Sequence, residues 1–225
     1  MNNNNIQTYF EWDAISWSRA MKIWDKHLNS KKDGLALEIG GRRGGLSLML
    51  AKEYDMNVVC SDLKSPKQSA QILHSKHETK NQIEYKAVDC TEISYPDNTF
   101  DVVVFKSVLG ALGLFENQQL AFNEMFRVLK PGGVLLFAEN LESSMLHIYL
   151  RKKFNKWSPY WRYFNLDELS TFLYKFSHSE LNTTGFFATF FRFSLLRVFF
   201  SYFDLTFEKL LPKKSRYIVF GAAIK

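Results

Sequence analysis

Short apolar runs alternate along this chain with segments whose apolar residues recur at helical spacing. Five runs read as strands: 35–39, 58–61, 83–88, 100–105 and 134–139. Those at 100–105 and 134–139 are apolar almost throughout, the mark of a strand covered on both faces. Helices are predicted over 13–29, 46–54, 65–80 and 118–129. In the first of these, Trp17, Met21, Trp24 and Leu28 form one stripe at i, i+4, i+7 and i+11. Ser65-Pro66-Lys67-Gln68 reads as a capping box with proline at the first helical position, and Lys130-Pro131-Gly132-Gly133 stops the fourth helix. Residues 1–10 read as a frayed polar start. The last third is less regular, with helices over 143–154, 165–176 and 195–211, a sixth strand over 185–193 and a final strand over 216–224. Asn165-Leu166-Asp167-Glu168 is a second capping box.

Strands that alternate with helices predict an α/β fold: a doubly wound, mostly parallel seven-stranded sheet with helices on both faces. A ligand then sits outside the carboxyl ends of the strands, where the strand order reverses. A length of 225 residues suits one domain. Its parts are an N-terminal helical cap (1–33), a core (34–140), and substrate-side helices with the last strands (141–225).

The stretch 35–50 organises the rest. A buried strand runs into Gly40, Gly41, Gly44 and Gly45, and a helix begins at Leu46. Strand, glycine turn and helix bring backbone N–H groups close to a ligand. Glu38 at the strand end repels phosphate and attracts a sulfonium or an amino group. No Gly-Lys-Ser/Thr follows, and no G-x-G-x-x-G frame fits, since Arg42 or Arg43 falls at the third position.

Composition changes this picture little. The chain is 46% hydrophobic and 23% charged, as expected of a globular protein. A net charge of +6 permits nucleic acid, an anionic membrane surface or an anionic small substrate and requires none of them. Cys60 and Cys90 sit in apolar, strand-like settings, which suits a reduced, cytoplasmic protein without a disulfide framework. The start lacks the basic and apolar regions of a signal peptide. The most hydrophobic window, 185–203, holds Arg192 and Arg197, each costing about 2.5–3.5 kcal/mol at a bilayer centre, so it is not read as transmembrane. The five histidines show no ligand spacing, and no metal is assigned.

Five pieces fall in a telling order: Glu38-Ile39-Gly40-Gly41-Arg42-Arg43-Gly44, Asp62 after the second strand, Asp89 after the third, Asn98–Val103 into the fourth, and Arg127–Gly133 before the fifth. In this the chain resembles the class I S-adenosylmethionine-dependent methyltransferases, in their small-molecule, methyltransferase type 11-like branch. The resemblance covers about residues 33–140 and implies their Rossmann-like fold, with S-adenosyl-L-methionine as cofactor and S-adenosyl-L-homocysteine as product. It implies that Gly40, Gly41 and Gly44 let the backbone approach the methionyl part, with Glu38 on the amino group. Asp62, with Leu63 beside it, would take the ribose hydroxyls. Asp89 would take the adenine amino group, with Cys90 along the ring. Lys106 and Ser107 would border the methyl donor and the substrate. Arg42 stands where the family has its middle glycine, so its side chain must turn away from the cofactor or meet its carboxylate.

For the chemistry, Lys106 is one candidate base and His147 another, each weighed against a plain solvated side chain. The acceptor expected is a small or amphipathic molecule, a sugar or glycan precursor or a lipid-like compound, methylated on oxygen in preference to nitrogen or carbon. No Asn/Asp-Pro-Pro-Tyr/Phe motif follows the fourth strand, which disfavours nucleic-acid bases. The basic run Arg151-Lys152-Lys153 with Lys156, beside Trp157–Tyr163, admits an anionic acceptor tail or peripheral membrane contact. Two alternatives stand beside the enzyme: a non-catalytic cofactor-binding partner subunit, and an RNA-directed methyltransferase. Oligomeric state is not legible.

Overall fold

The apolar side chains of the central parallel strands alternate between two cores. In β4 (Phe100–Lys106), Val102 and Val104 face one layer while Val103 and Phe105 face the other. β5 (Leu129–Asn140) does the same with Val134 and Leu136 against Leu135 and Phe137. Such strands are stable only between two layers of helices. The computed structural model describes residues 3–64, 66, 68–79, 81–154, 161–191 and 193–225.

The remaining strands are β1 (Leu35–Ile39), β2 (Asn57–Asp62), β3 (Ile83–Ala87), β6 (His178–Thr184) and β7 (Ile218–Ile224). The seven form one sheet in the order β3-β2-β1-β4-β5-β7-β6. β1 to β5 pair in parallel, and β7 runs antiparallel to both β5 and β6. The chain steps from β1 outward to β3 and returns to β4 on the other side of β1. The switch point therefore lies between β1 and β4.

One layer holds α1 (Asn3–Phe10), α2 (Ala14–Trp17), α3 (Met21–Leu28) and α4 (Gly45–Glu53), with Phe10, Trp17 and Trp24 in its core. The Trp24 indole donates to the Gly221 carbonyl at 3.0 Å, tying α3 to β7. The other layer holds α6 (Phe115–Val128) and α8 (Leu169–Phe172), where Phe122 and Phe172 stack at 5.0 Å. α5 (Gln68–Ser75), α7 (Met145–Phe154) and α9 (Ser194–Phe207) complete the helices of the described residues.

The fold is the one the pattern predicts, with three corrections. The first ten residues are not frayed. Residues 3–10 are helical because Ile6, Tyr9 and Phe10 make a small apolar stripe, and the Tyr9 hydroxyl donates to Glu53 of α4 at 2.6 Å. The sixth strand is 178–184, not 185–193. Gly185 (φ +76°) ends it, and the phenylalanines beyond form an aromatic turn around Ala188–Phe190. β6 is an edge strand, and its polar sequence hides it from a search for apolar runs. The helices predicted to reach 80 and 176 stop at Ser75 and Phe172. The Asn165–Glu168 capping box forms on both sides, whereas Ser65 and Lys67 of the first box lie outside the described residues.

Candidate active site

The turn after β1 is tied to β2 by backbone and side chain together. Gly41 N–H donates to Ser61 O at 2.7 Å, and the Ser61 hydroxyl donates to Glu38 O at 2.6 Å. Arg42 N–H donates to Asp62 Oδ2 at 3.2 Å, and Leu63 N–H donates to Asp62 Oδ1 at 2.8 Å. Gly40 (φ +69°) has the left-handed backbone that glycine tolerates, and a β-carbon there would run into Val108. Arg42 adopts φ 39° without being glycine, a strained conformation for a residue with a β-carbon. Its side chain is exposed at the rim of a cavity.

Not every glycine of the run serves a ligand. A β-carbon at Gly45 would strike the Tyr9 carbonyl oxygen, so this glycine lets α1 lie against the start of α4. Part of the conformational cost of the glycine run is thus met by helix packing.

Glu38 is buried, and its Oε2 accepts from Ser47 N–H at 3.0 Å and from the Ser47 hydroxyl, with the Cys60 thiol 3.6 Å away. Desolvation pushes its pKa up to about 7, against the opposing pull of those hydrogen bonds. It lines a cavity of about 200 Å³ with Gly40–Arg42, Lys106 and Ser107 on the sheet side. The opposite wall is Tyr9, Glu11, Trp12 and Trp17, from the N-terminal helices.

Lys106, at the end of β4, holds its ammonium 5.2 Å from the Trp17 ring centroid. Burial holds its pKa below the ordinary lysine range, with Glu11 and Glu38 pulling the other way. Ser107 (φ 55°) accepts from the Asn140 side-chain amide at 2.8 Å. Beneath them lies Glu139, fully buried. It accepts from Val108 and Leu109 N–H with one oxygen and from Asn140 N–H with the other, each at 2.8 Å. This carboxylate fixes the loop after β4. Its charge is desolvated, which raises its pKa, and four hydrogen bonds compensate.

Asp62 and Leu63 stand beside Asp89 and Cys90 at neighbouring strand ends, Val88 N–H donating to Asp62 O at 2.9 Å. Asp89 accepts from Thr91 through N–H (2.8 Å) and hydroxyl (2.7 Å), which fixes its rotamer. Leu63 is exposed, and the buried Cys90 thiol is pushed up to about 12 by desolvation.

His147 does not join this group. It is fully buried, stacked on Tyr217 at 5.6 Å, with Nε2 3.1 Å from Phe186 O. Burial and the nearby Arg151 charge pull its pKa down to about 3. Neither a surface histidine nor a base at the cavity describes it. Its burial follows from α7 turning its polar-looking face inward. Arg151 is likewise buried rather than solvated, donating to Leu141 O at 2.7 Å beneath the Tyr163 ring. Lys156, Trp157 and Tyr160 of the same basic-aromatic run lie outside the described residues. A larger cavity, about 410 Å³, opens between Arg151, Trp161, Arg162 and Glu168, and it contains none of the cofactor residues expected from the sequence.

Sequence reasoning missed Tyr9, Glu11, Trp12, Glu139 and Asn140. The spacing of Ile6, Tyr9 and Phe10 was a usable signal for α1. Nothing in sequence marks Glu139 as a buried acceptor except a carboxylate inside an apolar strand.

The segment from β1 through β5 also matches a known family, described as a methyltransferase domain, over residues 37–137. The chain is 32% identical over 116 residues to a phosphoethanolamine N-methyltransferase of Triticum aestivum, an alignment covering 52% of this chain and 22% of that protein. It is 29% identical over 129 residues to the ubiquinone/menaquinone biosynthesis C-methyltransferase UbiE of Hydrogenovibrio crunogenus, covering 52% of this chain and 48% of that one. The chain thus spans less than half the length of either relative. Among solved structures, phosphoethanolamine N-methyltransferase 2 of Haemonchus contortus, in complex with phosphomonomethylethanolamine and S-adenosylhomocysteine, superposes with a TM-score of 0.65. The identity is 17%, over 93% of this chain and 52% of that one. At that identity the likeness is one of fold.

Proposed function

We propose that the chain is an S-adenosyl-L-methionine-dependent methyltransferase acting on a small or amphipathic acceptor. The observation that carries this reading is the convergence of Glu38, the Gly40–Arg42 backbone and Lys106 on one cavity at the switch point between β1 and β4, with Asp62 at the end of β2 holding the Arg42 N–H. The donor set suits the cofactor. Glu38 offers a desolvated carboxylate to an ammonium, and Arg42 offers positive charge to a carboxylate. Each Asp62 oxygen accepts one backbone N–H and keeps a lone pair for a ribose hydroxyl. Asp89 and Cys90, one strand over, are suited to the adenine.

When bound, the sulfonium supplies an already activated methyl group, so the chain's task is alignment and exclusion of water. Tyr9, Trp12 and Trp17 close one side of the cavity and keep water out. Lys106 is the proposed acceptor of the substrate proton: burial favours its neutral amine, which can take a proton from a hydroxyl. That favours oxygen as the methylated atom, on a sugar or glycan precursor or a lipid-like molecule. The relatives named above are N- and C-methyltransferases, so nitrogen and carbon acceptors belong in the same assay.

The strained Arg42 motivates a second reading, a cofactor-binding subunit without turnover. Calorimetry with S-adenosylmethionine and S-adenosylhomocysteine separates the two. Micromolar binding with turnover on at least one acceptor class supports the enzyme. Binding without turnover across hydroxyl, amine and quinol acceptors supports the subunit, and no binding overturns both. Asp62→Ala is expected to weaken binding roughly tenfold or more, through the loss of two ribose hydrogen bonds.

A further inference from the structure

α9 is built inside out. Its buried residues are Ser201 and Asp204. The Ser201 hydroxyl donates to Asp13 Oδ1 at 2.8 Å, and Asp204 accepts the N–H groups of Phe186, Phe187 and Ala188 at 2.9–3.0 Å. The apolar residues point the other way. Leu195 is 85% exposed and Phe199 62%, with Leu196 and Tyr202 on the same outward stripe. α7 packs against the same Ala188–Phe190 turn as α9, and it too turns His147 and Arg151 inward and leaves Met145 and Tyr149 outside. An exposed apolar stripe such as the one on α9 marks a place where something else docks.

The charges say what. Residues 193–215 contain two carboxylates, Asp204 and Glu208, and both are buried. Lys209 and Lys213 are exposed at the end of the same segment, and Lys214 beside them pairs with Asp167 at 2.7 Å. α7 has no carboxylate, and Lys152 and Lys153 are exposed on it. The outward faces therefore combine apolar and aromatic side chains with cations, on a chain of net charge +6. A second copy would bring lysines against lysines. An anionic lipid surface answers both features, taking the apolar stripe at its acyl boundary and the lysines at its head groups. Among the described residues no helix is long and apolar enough to cross a membrane, so α9 lies along the surface.

We propose that the outward faces of α9 and α7 dock this protein onto an anionic phospholipid bilayer. The Arg197 guanidinium of α9 lies 5.5 Å from the ring of Trp12, a wall of the cavity, so the docked face adjoins the cavity. The docking does not rest on the methyl-transfer reading.

The test is co-sedimentation of the intact chain with phosphatidylcholine vesicles, with and without phosphatidylglycerol. The wild type is expected to bind the anionic vesicles roughly tenfold or more tightly than the zwitterionic ones, and less at raised salt. Leu195→Ser/Phe199→Ser should reduce that binding about tenfold with an unchanged thermal melt, because both side chains are exposed. Lys209→Glu/Lys213→Glu should abolish the preference for anionic lipid. Failure of the wild type to bind either vesicle overturns the proposal, as does equal binding by the variants. So does a dimer in sedimentation velocity that Leu195→Ser/Phe199→Ser dissolves, which would assign the face to a second copy.

Discussion

Glu38 has almost no water around it, and its acidity follows. A carboxyl with a native pKa of about 7 holds more protons than the same group in the unfolded chain, whose pKa is near 4.5. Its contribution to stability therefore falls as pH rises from about 4.5 to about 7. A ligand ammonium reverses the preference, because it favours the ionised form. The expected outcome is cofactor affinity that climbs as pH goes from 5.5 to 7.5, approaching about tenfold per unit at the acid end. Glu38→Gln should flatten that slope and remove the fall in apo-protein stability over the same window. Calorimetric titrations and urea midpoints at matched pH measure both.

Helix α1 shows what an element can hide in sequence. Its asparagines suggest a polar tail, yet it packs on α4 through Tyr9 and needs Gly45 to have no side chain. Gly45→Ala should destabilise the fold by about 1–3 kcal/mol, the usual cost of overpacking. It should also weaken cofactor binding, because Tyr9 and Glu11 wall the cavity. Denaturant unfolding and calorimetry on the same variant check the pair of effects. The strands β1, β2, β4 and β5, and the turns that end them, were legible because being buried on both faces leaves an unmistakable apolar run. β6 was not legible, since a polar edge strand gains its stability from the ladder with β7 and not from its own side chains. His147 and Arg151 were misread for a related reason. A polar residue on a helix predicts solvent, and only tertiary packing reveals that α7 and α9 are reversed.

At the scale of the molecule, the segment 37–137 is incomplete as a folding unit. β5 requires β7 as its other neighbour, and β7 is buried along nearly its whole length between β5 and β6. Trp24 reaches β7 from the N-terminal layer. A fragment of residues 34–140 is expected to lack a cooperative urea transition, whereas the 225-residue chain should show one, followed by circular dichroism. The N-terminal segment, through Asp13 to Tyr217, Arg19 to Glu208 and Trp24 to Gly221, places the longest-range contacts of the chain between its two terminal thirds, which predicts slow folding relative to a helical protein of the same size.

The shared border between Tyr9 and Gly45 has a further consequence. Tyr9, on one wall of the cavity, lies against Gly45, which lines the other, so the two walls are coupled through a single backbone contact. A ligand large enough to widen the cavity on this side would have to displace a short amino-terminal helix from α4.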